Sequence, residues 1–289
     1  MSPTNLEFDR LIRDFGFDVR SRSVNNDAVI RAQDNDQPEV SAFSDVAQSK
    51  IAKAVESSWW YRVRNEIIVR NLRRWDFADT LWDVGAGTGA VTAALVAAGI
   101  PAIAVEPSIG GAAIATQHGV VSIQGTLQGL NLPDECLAGV GAFDVLEHVT
   151  NRQDFLREVL RVLVPGGHFI ATVPALQLLW SHADVEAGHY LRYSRGTLRK
   201  ELEMHGFDVL SLGYFFALTV PPLLFIRALP YRLGLRVHDS NNSALRASGG
   251  ILGKIVGRIE IAWAGYVPFG SSLLTVARKP SGLNELGAK

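Results

Sequence analysis

The feature that most constrains the fold of this chain is a glycine-rich loop directly after a short apolar run. The run is Leu81 to Val84, and glycines follow at positions 85, 87 and 89 before a helical pattern begins near Ala90. Glycines let the main chain approach a ligand closely and adopt positive φ, while the N–H groups of the new helix point at the same spot. The stretch predicts a buried strand, a ligand-binding loop and a helix, as at the start of a doubly wound α/β sheet. A glycine-rich turn that binds nothing is the alternative.

Two carboxylates near the loop help to separate the candidate ligands. Asp83 lies two residues before the first glycine, and Glu106 ends a second apolar run, Ala102 to Val105. The glycine spacing alone also satisfies the loose dinucleotide pattern. A carboxylate at the tip of a second strand can accept hydrogen bonds from both hydroxyls of a ribose. Two negative charges would repel a pyrophosphate but suit an ammonium and a sulfonium, which favours S-adenosylmethionine over NAD.

With these residues, the stretch from Trp82 to about Phe215 resembles the class I S-adenosylmethionine-dependent methyltransferases, especially bacterial members acting on small molecules or lipid-like acceptors. The resemblance implies an α/β, Rossmann-like doubly wound sheet of seven strands, mostly parallel with strand seven antiparallel. Many relatives carry an acidic residue where this sequence has Thr126. The residues that the resemblance assigns to the cofactor follow the first four strands: Asp83, Gly85, Ala86, Gly87, Glu106, Pro107, Thr126, Leu127, Asp144 and Val145.

Composition limits the other classes of function. The chain has 289 residues, 47% of them hydrophobic, which is enough for one α/β domain with additions. Its 28 Lys and Arg balance 29 Asp and Glu, so we expect no nucleic-acid partner. Cys136 is the only cysteine, and Met1 to Arg20 carries charges where a secretory signal needs an apolar core. These features predict a reducing, cytoplasmic setting.

We expect three parts along the chain. Residues 1–75 form an N-terminal helical extension or lid, residues 76–280 the cofactor-binding domain, and residues 281–289 a flexible tail. The apolar residues from Leu6 to Phe15 recur at helical spacing, whereas the stretch from about Arg20 to Ser44 has no sustained period and predicts an irregular connection.

A second helical pattern starts at Asp45 and contains consecutive aromatic residues at positions 59 to 61. Three consecutive aromatic rings cannot all face one core on a helix, so at least one is exposed or lines a cavity. We expect Arg62 or Arg64 to lie near such a ring. We therefore select Trp60, Tyr61 and Arg62 as the lining of an acceptor pocket, with core packing as the alternative.

The sequence from Asp144 to Val149 resembles the tip of strand four in this family, which faces the transferred group. His148 is a candidate general base, because the ordinary pKa of histidine, near 6.5, suits proton removal at neutral pH. An equal alternative is that Glu147 and His148 cap the following helix.

A second polar segment, residues 180 to 193, follows the fifth strand and has counterparts in related sequences. Its position over the cofactor favours acceptor binding or proton transfer, with loop-stabilising hydrogen bonds as the alternative. His182, Asp184 and His189 match no strong metal-binding spacing, so we expect no metal. The candidates are His182, His189 and Tyr190 for catalysis, and Asp184, Arg192 and Tyr193 for substrate binding.

Residues 215–270 form an apolar helical insertion between strands six and seven. The stretch from Val209 to Ile226 has no charge, but Pro221 and Pro222 argue against a membrane span. A later stretch carries Ile251, Ile255, Ile259 and Trp263 at helical spacing. We expect a lid over an apolar acceptor, then a dimer contact, then a peripheral membrane contact, in that order.

The predicted function is transfer of a methyl group from S-adenosylmethionine to an oxygen, nitrogen or carbon of a small, rather apolar acceptor. One alternative is an enzyme of the same fold that cyclises the aminobutyryl arm of the cofactor and releases methylthioadenosine. The other is a non-catalytic protein that only binds the cofactor.

Overall fold

The computed structural model of the chain describes residues 22–24, 27–31, 58–75, 77, 79–235 and 250–281. The strands are β1 (Arg22–Val24), β2 (Asp27–Arg31), β3 (Leu81–Val84), β4 (Ala102–Glu106), β5 (Ser122–Gln124), β6 (Leu137–Phe143), β7 (Leu163–Pro174), β8 (Asp208–Phe215) and β9 (Ser272–Arg278). The helices are α1 (Trp59–Arg74), α2 (Ala90–Ala97), α3 (Ile109–Gln117), α4 (Arg152–Val162), α5 (His182–Glu186), α6 (Arg195–Met204), α7 (Val220–Leu223), α8 (Leu229–Arg232) and α9 (Ile251–Trp263). A π-helical turn, Leu224–Ala228, joins α7 to α8.

The strands form one sheet in the order β1-β2-β5-β4-β3-β6-β7-β9-β8. Strands β3 to β9 are the seven predicted from the sequence, and this prediction is confirmed. Neighbouring strands from β5 to β7 pair in parallel, while β9 is antiparallel to both β7 and β8. The glycine-rich loop therefore lies at the carboxyl end of the central strand β3.

The N-terminal part of the sheet was not expected from the sequence. The prediction of an irregular connection from about Arg20 to Ser44 is wrong for part of it, because β1 and β2 pair antiparallel there. Strand β2 then pairs in parallel with β5 through Ile30 and Ile123. β-branched residues in β2 favour a strand, but the run is too short to show a period among polar neighbours. The helices predicted for residues 6 to 15 and 45 to 57 lie outside the described residues.

Helices cover the sheet on both faces. Trp82 and Val84 face a core that includes α4 and α6, whereas Leu81 faces a second core built with α1 and α2. Successive side chains of a strand point to opposite faces, so a strand with a helix layer on each side is apolar throughout. All four residues of β3 are buried, including Asp83.

The helix α9 of the insertion packs on α1. A Cβ atom at Gly257 would lie 2.9 Å from both Trp59 Nε1 and Val63 Cγ2, so only glycine allows this close approach. Trp59 Nε1 also donates a hydrogen bond to the carbonyl oxygen of Gly253. The buried Glu260 carboxylate accepts hydrogen bonds from the backbone N–H groups of residues 217 (3.0 Å) and 218 (2.7 Å), which follow β8. The insertion is thus fastened to both α1 and the end of β8.

Candidate functional site

A cavity of about 910 Å³ opens at the carboxyl ends of the central strands. It is bounded by the loops after β3, β4, β5 and β6, by the start of α1, by the segment around α5 and by α7. A doubly wound sheet binds its ligands in this position, because the loops after adjacent parallel strands meet there.

The glycine loop needs glycine for two reasons. Gly85, Gly87 and Gly89 have φ values of 73°, 57° and 72°, in the left-handed region that side chains disfavour. A Cβ atom at Gly85 would also lie 2.8 Å from Val145 Cγ2, at the tip of β6. The loop therefore presents bare backbone to the cavity, together with Ala86.

Glu106 connects the glycine loop to the end of β4. One carboxylate oxygen accepts a hydrogen bond from the N–H of Gly87 at 2.8 Å, and the other from the N–H of Ser108 at 2.9 Å. A carboxylate has about four acceptor positions on its two oxygens and can accept several hydrogen bonds at once. Glu106 lines the cavity beside Pro107.

Asp83 is the second acid at this end of the cavity. The carboxylate is buried and accepts a hydrogen bond from Thr92 Oγ1 at 2.6 Å. Burial raises the pKa of Asp83 to about 7, partly offset by the Thr92 hydrogen bond and by the charge of Arg64. A cationic ligand group in the cavity would favour the ionised form.

The loop after β5 closes the same end. Leu127 is buried, and Thr126 Oγ1 accepts a hydrogen bond from the N–H of Gly129 at 3.0 Å, so the hydroxyl orders its own turn. Both residues line the cavity, as does Gln128, which the sequence analysis did not select. Gln128 has no local pattern that separates it from other surface amides.

Asp144 joins the tip of β6 to α1. Its φ of 60° is rare for a residue with a side chain, and such strain is concentrated at functional sites. Asp144 Oδ1 accepts a hydrogen bond from Thr172 Oγ1 at 3.1 Å, and Oδ2 forms an ion pair with the buried Arg64. The Arg64 guanidinium carbon lies 5.1 Å from the ring centroids of both Trp60 and Tyr61.

The structure therefore places Arg64, and not Arg62, at the cavity. Arg62 is exposed and does not contribute to the cavity wall, whereas Trp60, Tyr61 and Arg64 all do. Residues three and four positions apart share one side of a helix, so this signal was present in the sequence.

A polar cluster at the cavity combines side chains from two segments of the chain. The rings of His148 and His189 have centroids 4.8 Å apart, and His189 Nδ1 lies 2.9 Å from Asp184 Oδ1. Burial and the neighbouring His189 lower the pKa of His148 to about 4, so it is a weaker base than its ordinary pKa predicts. Burial also raises the pKa of Glu147 well above its usual range. The helix-capping alternative is wrong, because α4 is capped by the side chain of Asn151.

The remaining candidates of this segment occupy different places. Tyr190 is exposed at the cavity rim, and its N–H donates to the carbonyl oxygen of Glu147 at 2.8 Å. Arg192 lines the cavity but donates from Nε to Asp184 Oδ1 at 2.7 Å, so it also stabilises the loop. His182 and Tyr193 do not line the cavity. The His182 ring is exposed and contacts Tyr231, and Tyr193 is buried in the core.

The insertion, which the sequence predicts as a lid over the acceptor, contributes three residues to the cavity wall. Thr219, Leu223 and Arg227 line the cavity from α7 and its flanks. They lie far along the chain from the glycine loop, and only the folded position of the insertion brings them to it.

The doubly wound sheet, the glycine loop and the acids at two strand tips define a protein that binds an adenosine-containing cofactor. Residues 82–171 match the family model described as "Methyltransferase domain". A relative from Mycolicibacterium smegmatis, named "Probable S-adenosylmethionine-dependent methyltransferase", is 28% identical over 187 residues, which cover 63% of this chain and 72% of the relative.

Solved structures share the fold. A chain of the Haloferax volcanii complex between the Trm112 methyltransferase activator and a methyltransferase superposes with a TM-score of 0.55 at 17% identity, covering 83% of this chain and 97% of that one. A Thermotoga maritima protein described as an S-adenosylmethionine-dependent methyltransferase has a TM-score of 0.56 at 18% identity, covering 81% of this chain and 97% of that one. The chain therefore carries a methyltransferase domain at residues 82–171, and its curated relative is named as an S-adenosylmethionine-dependent methyltransferase.

Proposed function

We propose that this methyltransferase acts on an oxygen, nitrogen or carbon atom of a small, rather apolar acceptor. The observation that carries the proposal is the composition of the cavity wall beyond the cofactor residues. Trp60, Tyr61 and Leu223 supply an apolar side, and His148, His189 and Tyr190 supply a polar side. A pocket of this kind binds an apolar body by contact area and orients it through a few polar atoms.

The residues at the other end fit S-adenosylmethionine, which supplies a methyl group on a sulfonium when bound. Glu106 would accept hydrogen bonds from the ribose hydroxyls, and Asp83 would face the positively charged arm. The glycine loop would contact the cofactor through its backbone, and Thr126 and Leu127 would lie beside the adenine base of the cofactor. The chain then contributes orientation, proximity and a cavity with little water.

We also propose that two additions to the sheet cover the acceptor. The N-terminal extension, residues 1–75, contributes α1 with Trp60 and Tyr61, and the insertion, residues 215–270, contributes α7 with Leu223 and Arg227. Residues of both helices line the cavity, so a movement of these helices would admit substrate and release product.

The test is a reaction of the full-length protein with S-adenosylmethionine and the small-molecule fraction of a cell extract, followed by mass spectrometry. The expected result is one extract compound heavier by a methyl group, with S-adenosylhomocysteine formed in equal amount. Methylthioadenosine as the product would support the cyclising alternative, and no turnover with intact cofactor binding would support the binding protein.

Variants in the apolar wall then test the acceptor class. Tyr61→Ala should raise the KM for the acceptor about 10-fold or more, because an aromatic contact is lost. Affinity for S-adenosylhomocysteine should change little. Arg70→Ala is the control, since Arg70 is exposed on the same helix and its ion pair is with Glu66. An unchanged KM in Tyr61→Ala and Trp60→Ala would contradict the proposed acceptor side.

A further inference from the structure

Three side chains that are far apart in the sequence converge in the acceptor half of the cavity. Glu147, His148 and His189 each offer one ligand atom, and these atoms all lie within 4.8 Å of one another. We propose that Glu147, His148 and His189 bind a divalent transition-metal cation. Ligand atoms about 2.1 Å from one ion are about 3.4 Å apart in a tetrahedral site. Side-chain shifts of about 1 Å would therefore bring the three ligand atoms to the spacing that an ion requires.

His189 is held in the way that metal-binding histidines are held. Its Nδ1 lies 2.9 Å from the buried carboxylate of Asp184, which leaves Nε2 for the ion. The same carboxylate accepts hydrogen bonds from the N–H of Ser181 at 2.9 Å and from Arg192 Nε at 2.7 Å, so its position is fixed. A carboxylate behind the imidazole sets the ring orientation and raises the basicity of the free nitrogen.

Glu147 gives an independent reason for a cation. Its side chain is 1% exposed, and its Oε2 has no hydrogen-bond partner among the residues that the structure describes. A buried carboxyl oxygen without a partner is costly, and a bound cation would compensate for it. The nearby arginines are already paired, Arg64 with Asp144 and Arg192 with Asp184.

The donor set narrows the choice of ion. Two imidazoles and one carboxylate suit Zn²⁺, Fe²⁺, Mn²⁺ or Co²⁺, whereas Mg²⁺ and Ca²⁺ prefer oxygen ligands throughout. Three protein ligands also leave coordination positions open towards the cavity. Since a nearby cation lowers the pKa of a hydroxyl, the site favours an acceptor with a hydroxyl oxygen. This last step rests on the proposed function, whereas metal binding itself does not.

The proposal revises the expectation of no metal. His182, Asp184 and His189 were the ligand set considered from the sequence, but only His189 belongs to the cluster. Asp184 lies behind His189, and the exposed His182 contacts Tyr231. The actual set joins the tip of β6 to the segment after α5, a pairing that no local spacing reveals.

The experiment uses chelator-treated full-length protein and Co²⁺, whose visible absorption reports coordination. Wild type should bind one equivalent of Co²⁺ saturably and unfold at a higher temperature with it. His148→Ala, His189→Ala and the nearly isosteric Glu147→Gln should each weaken Co²⁺ affinity by about 10- to 100-fold or more. His205→Ala is the matched control, because His205 Nδ1 contacts the carbonyl oxygen of Glu201, outside this site.

Calorimetry with S-adenosylhomocysteine accompanies each variant. Retained binding shows that the protein is folded, and it separates failure of the metal site from failure of the methyltransferase assignment. Wild type that binds no stoichiometric Co²⁺ would overturn the proposal, as would unchanged Co²⁺ affinity in the three variants. Should a histidine variant fail to fold, Glu147→Gln decides the question.

Discussion

At the scale of single residues, two buried carboxylates shape the cofactor end of the cavity in different ways. Both oxygens of Glu106 accept hydrogen bonds from backbone N–H groups, which fixes the carboxylate in place. Asp83 has one hydrogen bond from a neutral hydroxyl, and burial dominates its pKa. The first acid is therefore a fixed acceptor, whereas the second responds to pH and to the charge of a ligand.

Glu106→Ala should weaken binding of S-adenosylhomocysteine by about 10- to 150-fold. Losing a charged hydrogen-bond partner costs about 1.5–3 kcal/mol, and the backbone at Gly87 and Ser108 loses its anchor as well. Calorimetry measures the dissociation constant, with the exposed Glu135→Ala as the control. A dissociation constant equal to that of wild type would remove Glu106 from cofactor recognition.

Asp83 makes stability depend on pH with a defined sign. The pKa of Asp83 is about 7 in the folded protein against 3.8 for an unperturbed aspartate, so between these values only the folded protein holds the proton. The contribution of Asp83 to the free energy of unfolding is therefore complete below pH 3.8 and is lost as pH rises through 7. Asn at this position is never charged. The free energy of unfolding of Asp83→Asn, relative to wild type, should therefore rise by about 2–3 kcal/mol between pH 5 and pH 8.

Urea unfolding of both proteins at the two pH values measures this difference. Asp79→Asn, at an exposed position in the segment before β3, is the control. Parallel pH profiles for wild type and Asp83→Asn would show that burial does not raise the pKa of Asp83.

Which site residues were predictable depends on how local their signal is. The glycine loop, Asp83 and Glu106 follow from adjacent residues and strand ends, and the structure brings them together at one cavity. Of the two arginines expected near the aromatic rings, Arg62 was selected as the site residue, although helical spacing from Trp60 indicates Arg64. Leu223 belongs to the uncharged stretch that predicted a lid, and Arg227 directly follows it, but only the folded insertion shows which of its residues reach the cavity.

At the scale of elements, α9 has the opposite orientation to the one its apolar residues suggest. It buries Gly253, Gly257 and Glu260 against α1 and β8, while Ile255 and Trp263 are 52% and 48% exposed. Small residues allow the close contact with Trp59, and the Glu260 carboxylate satisfies two backbone N–H groups. Hydrophobic period alone gives the wrong buried face here, because it scores glycine and glutamate as surface residues.

Gly257→Val should separate α9 from α1. The added atoms overlap Trp59 and Val63, and such overpacking costs about 1–3 kcal/mol. We expect a lower unfolding temperature and a higher acceptor KM, because Trp60 and Tyr61 lie in the same turn of α1 as Trp59 and Val63. Gly196→Val is the control, since a Cβ there meets only Ser194 Oγ at 3.9 Å. Unchanged stability in Gly257→Val would show that the two helices do not depend on each other.

At the scale of the whole molecule, the insertion leaves many large apolar side chains in solvent. No helix of the described chain is long and apolar enough to cross a membrane. Exposed apolar side chains of this kind are typical of a surface that contacts another molecule. They are Leu218, Phe225, Ile226, Leu229, Leu233, Leu235, Ile255, Trp263, Tyr266 and Phe269.

Two aspartate substitutions separate the roles of the insertion. Leu223 lines the cavity, so Leu223→Asp should raise the acceptor KM about 10-fold or more. Ile255 is exposed, so Ile255→Asp should leave turnover intact and weaken only an external contact.

Light scattering and liposome co-sedimentation, on wild type and Ile255→Asp, identify the external partner. A mass that halves in the variant indicates a dimer, and loss of co-sedimentation indicates a membrane surface. Wild type that is monomeric and ignores liposomes would refute both contacts.

The N-terminal extension and the insertion also determine how the two edges of the sheet end. On one side, β2 pairs with β5 and leaves the three-residue β1 as the outermost strand. On the other side, Gly265 N–H donates to the carbonyl oxygen of Tyr214 at 2.8 Å, and Tyr214 forms a bridge with Val267, so the end of the insertion partly covers β8. An open edge is a template for intermolecular strand pairing, which short or covered edges prevent. Removing residues 1–31 should therefore expose β5 and promote aggregation, even though the cofactor loop would be untouched.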